Sequence, residues 1–214
     1  GNSKFNMYGG TITDNTATKG GGVYVSGGTF TMNGNASVSS NKATNGTSGG
    51  VYVVDGTFTM NGGTISGNTA TSTDGGVGVY TTDAYTTATF TMNGGEISGN
   101  KASSQGGGVG VYFAAKFEMN NNASVSSNEV KGNGGGVYVD NKGVRMDGAT
   151  FTMNKTASVT GNTASGNTAD QGNGGGVYVK SGTFEMNYSA SVSANTATNT
   201  ETTKIGRASC RERV

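Results

Sequence analysis

The 214-residue chain contains no His, no Pro and no Trp, and only one Cys. Without His there is no imidazole for metal ligation, proton shuttling or a Ser/His/Asp triad. One Cys allows neither an internal disulfide nor a Cys-based zinc site. Apolar residues make up 32% and charged residues 13%, both low for a globular domain. No apolar run approaches the roughly 20 residues that a spanning helix needs. No metal or cofactor is therefore expected. What the chain does have is Gly, 40 residues of it, and the Gly is periodic.

The last eleven residues, 204–214, break every upstream pattern. They hold Cys210 and three of the four Arg, and they resemble the conceptual translation of a sequencing adapter. A natural basic tail is the alternative. Non-native ends are set aside in fold reasoning. The tail carries four of the 14 basic residues and one of the 13 acidic ones, so the rest has a net charge of −2. The basic balance thus belongs to the tail, and no nucleic-acid partner is expected. Residues 1–203 read as one repeat domain. They start inside a repeat and are expected to be a fragment of a longer protein.

Three signatures recur. Phe-x-Met begins at Phe5, Phe30, Phe58, Phe90, Phe117, Phe151 and Phe184, at spacings of 25, 28, 32, 27, 34 and 33 residues. Seven or eight residues later comes Ile or Val, then Ser or Thr, any residue, and Asn: Ile12 to Asn15, Val38 to Asn41, Ile65 to Asn68, Ile97 to Asn100, Val125 to Asn128, Val159 to Asn162 and Val192 to Asn195. The third is Gly-Gly-Val with a second Val two residues on, at Val23, Val51, Val77, Val109, Val137 and Val177. Each has the period-two apolar spacing of a strand, and Gly, Asn, Ser and Ala-Thr turns lie between them. No helical period appears.

A strand in such a unit finds its nearest partner in the same strand of the next unit. The expected fold is all-β, a right-handed parallel β-helix with three short strands per coil and six to seven coils. The Phe residues should stack in the interior, with Met filling gaps beside them. Asn33, Asn61, Asn93, Asn120, Asn154 and Asn187 follow Met at a corner. They are expected to adopt the left-handed conformation there and to bond along the axis. Insertions at 81–88, 140–149 and 161–169 should lie at corners.

The units GGGVYVSGGTFTMNGNASVSSNKAT and GGVYVVDGTFTMNGGTISGNTAT resemble the repeats of right-handed parallel β-helix surface proteins of bacteria and some archaea, often called adhesin-like. They are loosely similar to polymorphic outer-membrane protein repeats. Here Gly-Gly-Val-Tyr and Ile-Ser-Gly-Asn stand where that family carries Gly-Gly-Ala-Ile and Phe-x-x-Asn. The resemblance implies an extracellular or cell-surface setting.

Outward residues give the candidate sites. If Val23 and Val25 point inward, Tyr24 points out, and the same argument exposes Tyr52, Tyr138 and Tyr178. Gly78 and Gly110 interrupt the row, with Tyr80 and Tyr112 displaced by two. An exposed aromatic row can stack on sugar rings, although Tyr also simply favours strands. A mixed-charge region gathers Asp83, Tyr85, Arg145 and Asp147, with Lys116 and Glu118 between them. It reads as a small polar pocket for a sugar or acidic glycan, or as ordinary loop polarity.

Thr pairs flank Phe at 29/31, 57/59, 89/91 and 150/152, with Lys116/Glu118 and Thr183/Glu185 breaking the pattern. Such an array resembles the ice-binding face of some β-solenoid antifreeze proteins. The leading expectation is a structural and adhesive surface rod that meets glycans or host surfaces, with no catalytic residues. The alternatives are a polysaccharide lyase or hydrolase using Asp83, Asp147 and Glu118, and an ice-binding solenoid. No membrane span is expected, and unpaired end strands invite end-to-end self-association.

Overall fold

A computed structural model describes residues 3–82, 85–142 and 148–200. These residues form a parallel β-helix of about seven coils, with no helix among them. The Phe-x-Met strands form one seven-stranded sheet: Lys4–Met7, Thr29–Met32, Thr57–Met60, Thr89–Met92, Lys116–Met119, Thr150–Met153 and Thr183–Met186. The Ile/Val strands, from Thr11–Thr13 to Ser191–Ser193, form a second. The Val-x-Val strands, from Val23–Ser26 to Val177–Ser181, form a six-stranded sheet.

The expected three strands per coil become four. Short strands such as Thr16–Ala17, Lys42–Ala43 and Thr69–Ala70 build a further seven-stranded sheet from the Ala-Thr segments that read as turns. Most are only two residues long, too short for alternation to reveal them. Ala43, Ala70, Ala102, Val130 and Ala164 are the buried side chains of this sheet, and Ala102, Val130 and Ala164 make a small cluster separate from the main core.

Register follows side-chain identity. Phe30 pairs with Phe58, Met32 with Met60, Ile65 with Ile97 and Val51 with Val77. The seven Phe rings form one stack, with neighbouring centroids 4.5–4.9 Å apart and planes within 11° of parallel. The parallel-strand spacing imposes that distance, and a one-residue slip would turn every ring out to solvent. The Met, Val and Ile columns complete a continuous dry core.

Two Asn ladders run along the axis. In one, Asn15, Asn41, Asn68, Asn100, Asn128 and Asn162 each donate from Nδ2 to the Oδ1 of the ladder Asn in the next coil, at 2.9–3.0 Å, and the series ends on Asn195. Each of those Oδ1 atoms also accepts the backbone N–H of the preceding ladder Asn. The amide's second hydrogen reaches a strand carbonyl one coil back, as from Asn100 to Ile65. From Asn41 to Asn162 the ladder is buried, with the amide groups satisfied as a dry interior requires.

The other ladder is the column after Met. Its Nδ2 groups donate toward the preceding coil, as from Asn61 to Asn33 and from Asn93 to Asn61. The expected axial bonding is present, but the left-handed backbone lies elsewhere. After Met-Asn it falls on the following residue at Gly34, Asn121, Lys155 and Tyr188. At the next corner it falls on the residue before each Asn of the first ladder, namely Asp14, Ser40, Gly67, Gly99, Ser127, Gly161 and Ala194.

The Gly-Gly pair before Val answers to close approach. A Cβ on Gly75 would lie 2.4 Å from the Gly107 carbonyl oxygen and 2.6 Å from the Lys101 nitrogen. Any side chain there would push the corner off the neighbouring coil.

Candidate functional site

The coils vary most along the outer face of the Val-x-Val sheet and at the corner that leads from it to the Phe-x-Met sheet. The 81–88 and 141–149 insertions leave the chain there, between Tyr80 and Thr89 and between Asp140 and Thr150. The 161–169 insertion instead lengthens a short strand to Thr163–Gly166 and continues into a turn. Tyr points outward from the Val-x-Val sheet, as alternation requires, but over the middle coils it does not meet solvent. Tyr52 is 7% and Tyr138 1% exposed, and Tyr178 is partly buried. The exposure expected of Tyr52 and Tyr138 is thus not found, because the corner segments preceding the sheet fold across its outer face. Their residues Thr73, Gln105 and Asn133 are bridged in register. Thr73 Oγ1 lies 3.2 Å from the Tyr80 hydroxyl, and Gln105 Nε2 donates to the Tyr138 hydroxyl at 3.1 Å. Tyr24 remains open at 55%.

Tyr52, Tyr80, Tyr112 and Tyr138 make a second, external core, with Val54, Phe113 and Tyr178 against it. Tyr80 pairs with Val54 and Tyr112 with Asp140, two residues along from the position of the Tyr column. The rings nevertheless continue one pile. Tyr52 meets Tyr80 edge-on at 5.0 Å, Tyr80 stacks on Tyr112 at 4.3 Å, and Tyr112 lies 5.6 Å from Tyr138.

The space vacated by the displaced rings holds Asp74. It occupies a column of left-handed residues otherwise made of Gly20, Ser48, Gly106, Gly134 and Gly174. Its carboxylate accepts a hydrogen bond from Tyr80 at Oδ2 and from Tyr112 at Oδ1, both at 2.8 Å. A Cβ on Gly110 would fall 1.9 Å from Asp74 Oδ1, and one on Gly78 2.6 Å from Oδ2. Glycine at 78 and 110, Tyr at 80 and 112 and Asp at 74 are thus one coupled exchange.

Burial drives the Asp74 carboxyl up to about 7 from an ordinary 3.8, against the hydrogen bonds of Tyr112, Tyr80 and Thr73 and the Lys142 charge. Burial and then the Asp74 charge push both phenols well above their usual range.

Asp140 sits farther along the pile. It accepts from Tyr138, from the Ser181 hydroxyl and from the Lys142 backbone N–H, and Lys180 Nζ lies 3.4 Å away. Burial alone would raise its carboxyl, but these donors and the Lys180 charge together hold it below the ordinary carboxylate value. Lys142 Nζ stands over the rings of Tyr112 and Phe113, at 5.0 and 5.5 Å.

The 81–88 insertion is tied back by Asp55, which accepts the Thr82 backbone N–H at 2.7 Å and the Thr82 and Thr86 hydroxyls. Tyr85, between those anchors, is 97% exposed. Asp83, Arg145 and Asp147 lie outside the described residues. Glu118 is half-buried on the Phe-x-Met sheet and accepts from Asn154 Nδ2 at 3.1 Å. Among the described residues, no group of three or more carboxylate or thiol residues stands where it could hold a metal ion.

The open faces carry hydroxyls. Thr29/Thr31, Thr57/Thr59 and Thr89/Thr91 lie in register on the Phe-x-Met sheet. On the Ile/Val sheet the outward columns are Ser and Thr throughout, from Thr11/Thr13 to Ser191/Ser193, except Glu96. No protein-family model, curated protein or solved structure matches this chain.

Proposed function

We propose that this chain is a segment of an extracellular structural and adhesive rod, whose outward Thr, Ser and Asn faces meet glycans or host surface molecules. The carrying observation is the in-register repetition of hydroxyl pairs on two sheets over successive coils. A ligand with repeating polar groups meets the same pair once per strand spacing, so individually weak contacts add along the rod. The buried Tyr pile leaves this role to the hydroxyl faces, joined by the open rings of Tyr24 and Tyr85.

Binding of the chain to an array of neutral and acidic glycans tests the reading. Retention that weakens when Thr29, Thr57 and Thr89 are together replaced by Lys supports it. No retention of the parent chain on any glycan or on host-cell surface preparations overturns the adhesive part.

The three consecutive Thr-x-Thr ranks also favour a second reading, an ice-facing lattice. The Lys116/Glu118 rank interrupts that lattice. A thermal-hysteresis measurement separates the two, because a glycan-binding face produces no gap between melting and freezing.

A further inference from the structure

The tyrosine pile contains a carboxyl group for which a rod has no evident need. Asp74 is fully buried among side chains that are apolar or neutral. No salt bridge reaches it among the described residues. The groups facing it are Thr73 on its own turn, Tyr80 from its own coil, Tyr112 from the next, and Ser48 with Tyr52 from the coil before. Tyr138 and Lys142 act on it only at longer range, the latter from above the Tyr112 ring.

Ser48 Oγ is buried and has no hydrogen-bond partner among the described residues. The spot that a Gly78 Cβ would take lies 2.2 Å from Ser48 Oγ and 2.6 Å from Asp74 Oδ2. The carboxyl oxygen and the unpartnered hydroxyl therefore flank the same small space.

We propose that Asp74, Ser48, Tyr80 and Tyr112 form a pH-sensitive fastening of the external aromatic layer. With a proton on Asp74, the carboxyl donates toward Ser48 while still accepting from the two phenols, and the layer is closed. Loss of that proton leaves a negative charge in a dry pile with neutral donors only, and the third and fourth coils loosen.

The cost of an uncompensated buried carboxylate makes the direction unambiguous. Asp74 titrates near 7 in the folded rod and at the ordinary 3.8 when exposed. Between those values the folded state holds a proton that the unfolded chain has lost, so stability falls as pH rises. The fastening acts whatever the rod binds.

The test is the unfolding equilibrium of the whole chain from about pH 5 to about pH 9, for the parent, Asp74→Asn and Asp74→Gly. At its steepest the parent's unfolding constant should grow by up to roughly tenfold per pH unit from this one group. Both variants should lose that slope. Asn accepts the left-handed backbone, and Gly is the residue of the same column at 106 and 134. Equal slopes in parent and variants overturn the proposal. A carbon-13 titration of the Asp74 carboxyl in the parent gives an independent reading. A midpoint near neutral supports the fastening, and a midpoint near the ordinary 3.8 overturns it.

Discussion

Asn68 donates from Nδ2 to Asn100 Oδ1 at 2.9 Å, and the same oxygen accepts the Asn68 backbone N–H at 2.9 Å. Both residues are fully buried. Asn100 thus closes four hydrogen bonds: two received from Asn68, one given to Ile65 and one given to Asn128. Asn100→Ala breaks all four and strands their partners. At roughly 1 kcal/mol each, the loss should be about 4 kcal/mol. Asn61 makes two axial bonds on the exposed ladder, one given to Asn33 and one received from Asn93, and water replaces them there. Asn61→Ala should cost less than about 1 kcal/mol. Denaturant unfolding of the two variants measures the contrast.

The Phe column gives a position-dependent series. Phe90 is sandwiched between Phe58 at 4.5 Å and Phe117 at 4.7 Å and is fully buried. Phe90→Ala should destabilise the rod by about 3–5 kcal/mol through lost burial and a cavity. Phe5 has one stacking partner among the described residues and an exposed ring, so Phe5→Ala should cost well under half as much. Equal losses from thermal or denaturant unfolding would contradict the continuous stack.

Much of this was legible beforehand because identity repeats where position repeats. The Phe, Met, Val and Ile columns announced themselves by period-two spacing and by recurrence in each unit, so coil number, register and core followed. The Thr-Ala strands stayed hidden because two residues cannot display alternation. The Tyr residues point where alternation puts them. Their burial depends on which corner folds over the sheet, a tertiary fact without local signal. One clue was present: Gly78 and Gly110 trade places with Tyr80 and Tyr112 in the coil that holds Asp74 and in the next, and Asp74 is the one acid in its left-handed column. Covariation inside a repeat marks contact, and here it marked the buried carboxyl.

That exchange predicts a rescue. A methyl at Gly110 would collide with Asp74 Oδ1 at 1.9 Å and with the Tyr112 ring at 2.5 Å. Gly110→Ala should therefore cost about 1–3 kcal/mol by overpacking. In an Asp74→Gly background the first collision is gone, and the same substitution should cost less. A double-mutant cycle by denaturant unfolding measures the coupling, and strict additivity would show that Asp74 does not set the glycine.

Asp74 and Asp140 share the tyrosine pile but should give opposite pH signatures. Asp140 is held below the ordinary carboxylate value. Its contribution is complete above that value and is lost as pH falls through its folded one. Asp74 is raised, so its contribution is complete in acid and lost as pH rises toward 7. The parent should be most stable between the two. Asp140→Asn should flatten the acid limb and leave the neutral limb, and Asp74→Asn should do the reverse. Melting temperature against pH for both variants checks this.

Among the described residues, the last coil leaves one edge of each of the four sheets unpaired, at Val177–Ser181, Thr183–Met186, Ser191–Ser193 and Thr196–Asn199. Val179, Met186 and Val192, counterparts of core columns elsewhere, are exposed there. Unpaired edges backed by apolar side chains recruit further strands. The chain at high concentration should therefore form end-to-end oligomers, seen as a rising sedimentation coefficient. Val179→Lys combined with Val192→Lys places charge at that end and should return the chain toward monomer. A parent that sediments as a single monomer at every concentration would show that these edges are not joined.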